Sequence, residues 1–176
     1  MIVDENKNPV ERGQVGELAV KGPGVMTAYY KDEKATNEVL RDGWLFTGDM
    51  AEEDEDGFIW LVDRKKDVII SGGENLYPVQ IEDFLRKHEK ISDVAVIGLP
   101  DARLGEIAAA IIQAKDGMEL TEEEIQEFCL DLPRYKRPHK IIFADVPRNP
   151  TGKIEKPKLR KIYCGESVVA QQNEIK

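Results

Sequence analysis

The segment Pro147-Arg148-Asn149-Pro150-Thr151-Gly152-Lys153 sets one lysine at the tip of a turn built to be stiff. Pro147 and Pro150 each fix their own φ, and Gly152 admits a left-handed bend just before the charge. A lysine presented this way suits phosphate or carboxylate oxygens, toward which its ammonium acts as a compact point charge. Taken alone, the same residues also fit a plain exposed turn with a solubilising lysine. The surroundings are consistent with a ligand but also with a solvated basic face: Asp131 to Lys161 holds ten Lys or Arg against three acids, in a chain whose net charge is −9. A small polyanion would be steered to such a patch. The acidic total argues against general nucleic-acid affinity, and no aromatic interleaving marks a base-stacking surface.

With 176 residues, 41% hydrophobic and 34% charged, the chain can bury a real core. No apolar run approaches membrane-spanning length, and Met1-Ile2-Val3-Asp4-Glu5 has neither the basic nor the apolar region of a signal peptide, so a cytoplasmic location is expected. Cys129 and Cys164 lie far apart without zinc-ligand spacing; Cys129 falls on an apolar helical face and is expected to be buried, whereas Cys164 is placed in a weakly structured tail. His88 and His139 have no partners that point to acid–base or metal chemistry, and His88 reads as a helix-face residue.

The elements that must carry these residues change character near Asp63. Upstream, Gly16–Gly22 and Gly57–Val62 are apolar runs bounded by glycine and read as strands, with a short helix around Asp32 to Leu40 between them. Downstream, Val68–Ile70 reads as a strand entering the loop Ser71-Gly72-Gly73-Glu74-Asn75. Pro78 opens a helix with Ile81, Phe84, Leu85 and His88 on one face. Strands follow at Asp93–Gly98 and Glu106–Ala114 around a turn at Leu99-Pro100-Asp101. Thr121 with Glu124 makes a capping box for a helix carrying Ile125, Phe128, Cys129 and Leu132, which Pro133 stops. Lys140–Phe143 is a further strand, Pro157 opens a last helix through Tyr163, and a frayed tail follows Gly165. The fold class is α+β.

Four motifs occur in order: Asp42-Gly43-Trp44-Leu45-Phe46-Thr47-Gly48-Asp49, Asp63-Arg64-Lys65-Lys66-Asp67, Ser71-Gly72-Gly73-Glu74-Asn75 and the Lys153 turn. Each is weak alone, but the ordered set, spanning nearly the whole chain, resembles the C-terminal third of the adenylate-forming superfamily. That group includes acyl- and aryl-CoA synthetases, adenylation domains of peptide synthetases, and luciferases. The resemblance implies that residues 1–65 are the β-rich end of a large N-terminal domain, 66–165 a small mobile lid of a short sheet with flanking helices, and 166–176 a tail. It further implies the substrates ATP (giving AMP), CoA and a carboxylic acid, with Mg2+, although no metal ligands stand out here.

By the same resemblance, Lys153 approaches the acid and the α-phosphate where negative charge accumulates. Asp49 accepts hydrogen bonds from the ribose hydroxyls, and Arg64 also contacts the ribose; the bland alternatives are an Asx turn for Asp49 and a surface ion pair with Asp63 or Asp67 for Arg64. Lys66 occupies the hinge between two domain poses. Gly73 lines the pantetheine channel, where a backbone without Cβ packs flush against a narrow ligand. The basic run Arg134-Tyr135-Lys136-Arg137 could hold CoA phosphates or simply face solvent.

The phosphate-wrapping loop and the acyl pocket of relatives have no counterpart in this sequence, so the chain is expected to be a fragment unable to activate an acid alone. The expected function is the C-terminal part of an acid–CoA ligase, fatty acids being the expected substrate class because Gly-Gly-Glu-Asn-Leu-Tyr-Pro and Asp101-Ala102-Arg103-Leu104-Gly105-Glu106 look more like acyl-CoA synthetases than amino-acid-activating domains. The alternatives are a freestanding, non-catalytic module that binds a nucleotide or partner, and a peptide-synthetase adenylation domain.

Overall fold

The computed structural model describes residues 1–165. The expected tail at 166–176 lies outside the described residues. The chain forms two compact units, the first Met1–Lys66 and the second beginning at Asp67.

In the first unit, β1 (Ile2–Val3), β2 (Gly16–Val20), β3 (Leu40–Arg41), β4 (Trp44–Glu53) and β5 (Ile59–Arg64) make one antiparallel sheet, and helix α1 (Glu33–Val39) connects β2 to β3. Asp32 caps α1, its carboxylate accepting from the Ala35 N–H. Asp42 and Gly43, at φ 52° and 78°, form the two-residue turn between β3 and β4. The long β4 is the centre of the sheet: β2 pairs along one edge, β3 and β5 with successive parts of the strand. Sequence reading missed this ten-residue strand because Gly48 and the acidic end disguise its alternation. The core is small, with Val3, Ala19 and Phe46 buried against Trp44. By contrast Phe58, Trp60 and Leu61 are 66%, 63% and 66% exposed.

The second unit is an α+β sandwich on a five-stranded sheet: β6 (Ile69–Ser71), β7 (Glu74–Leu76), β8 (Ile91–Asp101), β9 (Gly105–Ala114) and β10 (Lys140–Phe143). β9 is central, antiparallel to β8 and β6 and parallel to β10. Period-two alternation sends Val94, Val96, Ala108, Ala110 and Ile112 to one face, under α2 (Pro78–Leu85) and α3 (Glu122–Phe128). The other face presents Ala95, Ile97, Leu99, Ala109 and Ile111 to Leu159 of α4 (Lys156–Cys164) and to Val146. Both faces being covered, β8 and β9 read as continuous apolar runs.

Four expectations are corrected. β8 does not stop at Gly98: Leu99, Pro100 and Asp101 pair with Ile107, Glu106 and Gly105, and the turn comes at Ala102–Leu104. Pro100 is tolerated because β8 is an edge strand, so its missing N–H breaks no ladder on the open side. Thr121 does cap α3 by accepting from the Glu124 N–H, yet the Glu124 carboxylate turns to Lys90 (2.8 Å) and His88 (3.4 Å). Cys164 is the last residue of α4, half-buried, its thiol directed at the Gly98 carbonyl 3.5 Å away. Cys129 is buried as expected, which pushes its thiol up to about 11. His88 is buried, edge-on to the Phe128 ring with centroids 4.8 Å apart, but it sits in the bend beyond the end of α2 and not on the helix face expected, because the helix stops at Leu85.

Candidate functional site

In the first unit the expected Asp49 and Arg64 sit opposite each other on β4 and β5, and Arg64 Nη1 donates to Asp49 Oδ1 at 2.5 Å. The Arg64 backbone N–H also donates to Asp63 Oδ1 at 2.7 Å. The arginine side chain is 56% exposed and the aspartate 27%, so the pair faces outward as a charge-paired platform.

A local distortion of β4 presents Asp49. Glu17 pairs with Met50 and Ala19 with Phe46, so Thr47, Gly48 and Asp49 bulge out of the β2–β4 ladder, with Gly48 at φ 71°. Thr47 Oγ1 donates to the Leu18 carbonyl (2.9 Å) and accepts from the Asp49 N–H (3.1 Å). Glu17, buried on β2, accepts from the Gly48 N–H through Oε1 (3.2 Å); its Oε2 takes Lys7 (2.6 Å) and Lys65 (3.0 Å). Burial pushes the Glu17 carboxyl up, but the hydrogen bonds and charges of Lys7 and Lys65 outweigh it and hold it below the usual carboxylate value. Sequence reading missed Glu17 as a site-building residue; its Gly-Glu-Leu setting inside an apolar run was the available signal.

Lys66 is exposed, within a 3-10 turn over Lys65–Asp67, and is the last residue of the first unit. The residues either side are held: Lys65 by Glu17, and the buried Asp67 by Arg160 of α4 at 2.7 Å.

In the second unit, Gly72 and Gly73 (φ 59° and 89°) are the two-residue turn of the β6–β7 hairpin rather than an open loop. A Cβ on Gly73 would meet nothing within 4 Å, so within this chain glycine is required by backbone conformation and not by crowding. The turn is buttressed by the β8–β9 connection: the Gly72 N–H donates to the Leu104 carbonyl at 2.8 Å. Asp101 fixes that connection by accepting from the Arg103 and Leu104 N–H groups.

The Lys153 turn is ordered by Asn149. Its Oδ1 accepts from the Thr151 N–H (3.0 Å), the Thr151 hydroxyl (2.7 Å) and the Lys153 N–H (2.9 Å). The Asn149 N–H donates to the Lys153 carbonyl, and Gly152 takes φ 82°. Lys153 is exposed, and its ammonium has no ion-pair partner among the described residues. In the basic run, Arg137 caps the Leu130 and Leu132 carbonyls and Lys136 reaches Gln80 at 2.7 Å, so part of that charge is spent internally.

Asp49 and Arg64 thus meet within one unit, while Gly73 and Lys153 occupy separate loops of the other. Chemically, the first pair can receive hydroxyls on a carboxylate whose charge is already balanced, and the turn offers one cation at a fixed backbone position.

Residues 80–153 match the family model described as AMP-binding enzyme C-terminal domain. A long-chain-fatty-acid–CoA ligase, FadD13 of Mycobacterium tuberculosis, is 48% identical over 155 residues, covering 87% of this chain and 30% of its own length. The indoleacetate–CoA ligase of Aromatoleum aromaticum is 39% identical over 172 residues, 97% of this chain and 34% of its own. Among solved structures, ATP-bound MatB from Rhodopseudomonas palustris superposes with a TM-score of 0.87 at 34% identity, over 93% of this chain and 33% of that one. The chain thus spans about a third of the length of these proteins. The chain carries the C-terminal domain of AMP-binding enzymes at residues 80–153 and corresponds to the C-terminal portion of adenylate-forming enzymes, with acyl-CoA synthetases among its relatives.

Proposed function

We propose that the chain is the C-terminal part of an AMP-forming acid–CoA ligase whose acid is a fatty acid. Residues 1–65 are then the end of the large domain and 66–165 the mobile lid. The observation that carries this reading is Lys153, an exposed ammonium on a turn rigidified from within by Asn149.

In the first half-reaction a carboxylate oxygen attacks the α-phosphorus of ATP, the P–O bond to the β-phosphate breaks, and pyrophosphate leaves. Two anions must approach, so the barrier is largely electrostatic, and Lys153 lowers it by placing a positive charge between them. Asp49, oriented by Arg64, accepts hydrogen bonds from the ribose hydroxyls. Lys66 then serves as pivot. In the second half-reaction the CoA sulfur attacks the acyl carbonyl and AMP leaves, with the Gly72–Gly73 turn lining the approach of the thiol. Mg2+ would neutralise phosphate charge; no cluster of three or more His, Cys, Asp or Glu among the described residues could hold it, so this portion assigns it no ligand.

The chain by itself is proposed to be inactive, since the phosphate-wrapping loop and acyl pocket are absent from its sequence. The exposed Phe58, Trp60 and Leu61 support this over a freestanding module, because large apolar side chains left open to water around one strand call for a covering partner. Among the described residues no helix is long and apolar enough to cross a membrane. The fatty-acid assignment rests on the Gly-Gly-Glu-Asn-Leu-Tyr-Pro and Asp101–Glu106 wording and on likeness to the fatty-acid ligase above.

ATP–pyrophosphate exchange by the purified, folded chain across fatty, aryl and amino acids tests this. A silent chain that becomes active with fatty acids once the upstream region is restored is the expected result. Exchange by the chain alone would overturn the fragment reading, and activity restored only with amino acids would favour a peptide-synthetase origin.

A further inference from the structure

The Lys153 turn is fastened to the sheet from outside as well as ordered from within. Asp93 at the start of β8 and Gln113 near the end of β9 face each other across the ladder. Asp93 grips the Arg148 guanidinium with both oxygens, Nε to Oδ2 at 2.6 Å and Nη2 to Oδ1 at 2.8 Å. Gln113 Oε1 accepts from the Val146 N–H at 3.0 Å, fixing the segment between β10 and the turn. The third guanidinium nitrogen, Arg148 Nη1, donates to the carbonyl of Gly152, the residue before Lys153. The far limb is closed by the Arg148–Ile154 bridge and by the Glu155 N–H on the Pro147 carbonyl, 2.8 Å. A planar guanidinium is the side chain able to hold a carboxylate bidentately while spending its remaining nitrogen on a carbonyl.

We propose that Asp93, Arg148 and Gln113 are positioning residues for adenylate formation: they clamp the Lys153 turn to the β8–β9 hairpin so that the ammonium is delivered in one geometry. The proposal rests on the reading of Lys153 as the adenylation cation. Arg148 acts through the turn and does not itself touch the nucleotide. Without the clamp the Asn149 turn persists, because its bonds are local, but its base is no longer fixed to the sheet. A displacement of about 1 Å at a reacting group costs on the order of 100-fold in rate.

The test uses the protein with its upstream region in place, with both half-reactions measured separately. Arg148→Met and Asp93→Asn are each expected to lower kcat for pyrophosphate exchange by about 10- to 100-fold, with KM for ATP within about twofold and thiolysis of preformed acyl-adenylate unchanged. Arg148→Lys, which keeps charge but not the fork, should recover only part of the rate. In a Lys153→Ala background the residual exchange should not fall further on adding Arg148→Met, because the clamp has nothing left to position. Amide exchange of Glu155, whose N–H closes the base of the turn on the Pro147 carbonyl, should accelerate in Arg148→Met while Gly152 and Lys153 stay protected by Asn149, which is readable in the present chain. A rise in KM for ATP with Asp93→Asn silent would overturn the proposal and make Arg148 a nucleotide contact. Full additivity with Lys153→Ala would also overturn it. If Lys153→Ala itself retained normal exchange, the reading of Lys153 would fail, an outcome separate from failure of the clamp.

Discussion

Glu82 offers the sharpest test of how the second unit holds together. It lies on α2, 3% exposed, at the open edge of β8. Its Oε1 accepts from the Val96 N–H at 2.8 Å and from Lys156 Nζ at 2.8 Å, and Arg86 lies 3.6 Å from Oε2. One carboxylate thus caps an edge-strand donor and neutralises the first residue of α4, the helix that follows the Lys153 turn. Lys156 is itself 8% exposed. Glu82→Gln keeps an acceptor for Val96 and removes only the charge, leaving the ammonium buried without a counter-ion. Breaking a buried pair in this way costs about 3–5 kcal/mol, a large share of the roughly 5–15 kcal/mol that stabilises a domain. Lys156→Met should cost less, about 1–3 kcal/mol, because Glu82 then retains the Val96 N–H and Arg86. The double variant should be less damaging than the two losses added.

Urea denaturation with two probes separates the units. Both tryptophans, Trp44 and Trp60, are in the first unit, so fluorescence reports there, whereas three of the four α-helices among the described residues, α2 to α4, are in the second and dominate far-UV circular dichroism. Glu82→Gln should lower the dichroism midpoint and leave the fluorescence transition in place. A loss below about 1 kcal/mol would show that water takes up the Lys156 ammonium and that the pair does not tie α2 to α4.

Other outcomes follow from the same geometry. Gly16→Ala would put a Cβ 2.4 Å from the Val3 carbonyl oxygen, so the backbone of β1 or β2 must move; a loss of about 1–3 kcal/mol in the fluorescence transition is expected, and a neutral result would mean β1 is not held there. Gly73→Ala strains a turn at φ 89° by about 1 kcal/mol and, in the full enzyme, should slow thiolysis while sparing pyrophosphate exchange; equal loss in both would remove Gly73 from the CoA side. The Glu17 carboxyl titrates below its ordinary 4.5, so its contribution is complete above that value and is lost as pH falls through the lowered folded value; first-unit stability should drop on acidification through this range, and Glu17→Gln should flatten that slope.

What the sequence made legible was local. Pro78, Pro157 and Thr121 announced three helix starts, and the Pro147–Lys153 wording announced a stiff turn, because proline, glycine and a capping hydroxyl act within a few residues of themselves. What it hid was set by partners distant in sequence. Arg148 meets Asp93 across 55 positions, Lys65 meets Glu17 across 48, and Arg160 meets Asp67 across 93. At each of these positions the residue type fits a solvated surface charge equally well, so composition and spacing carry no sign of the pairing. The Gly72–Gly73 turn shows the intermediate case: two glycines advertise an unusual backbone, yet whether they pack against a ligand or reverse a strand depends on Ile69–Ser71 meeting Glu74–Leu76. Glycine therefore marks where the chain bends, while pairing decides what the bend is for. The same logic bears on Lys66: its neighbours are anchored within separate units, Lys65 to Glu17 and Asp67 to Arg160. If the chain pivots, the rotation must be taken up between those two anchors, so Lys66→Pro, which fixes φ there, should impair the exchange between half-reactions far more than Lys65→Pro upstream of it. Equal effects of the two prolines on both half-reactions would remove Lys66 as the pivot.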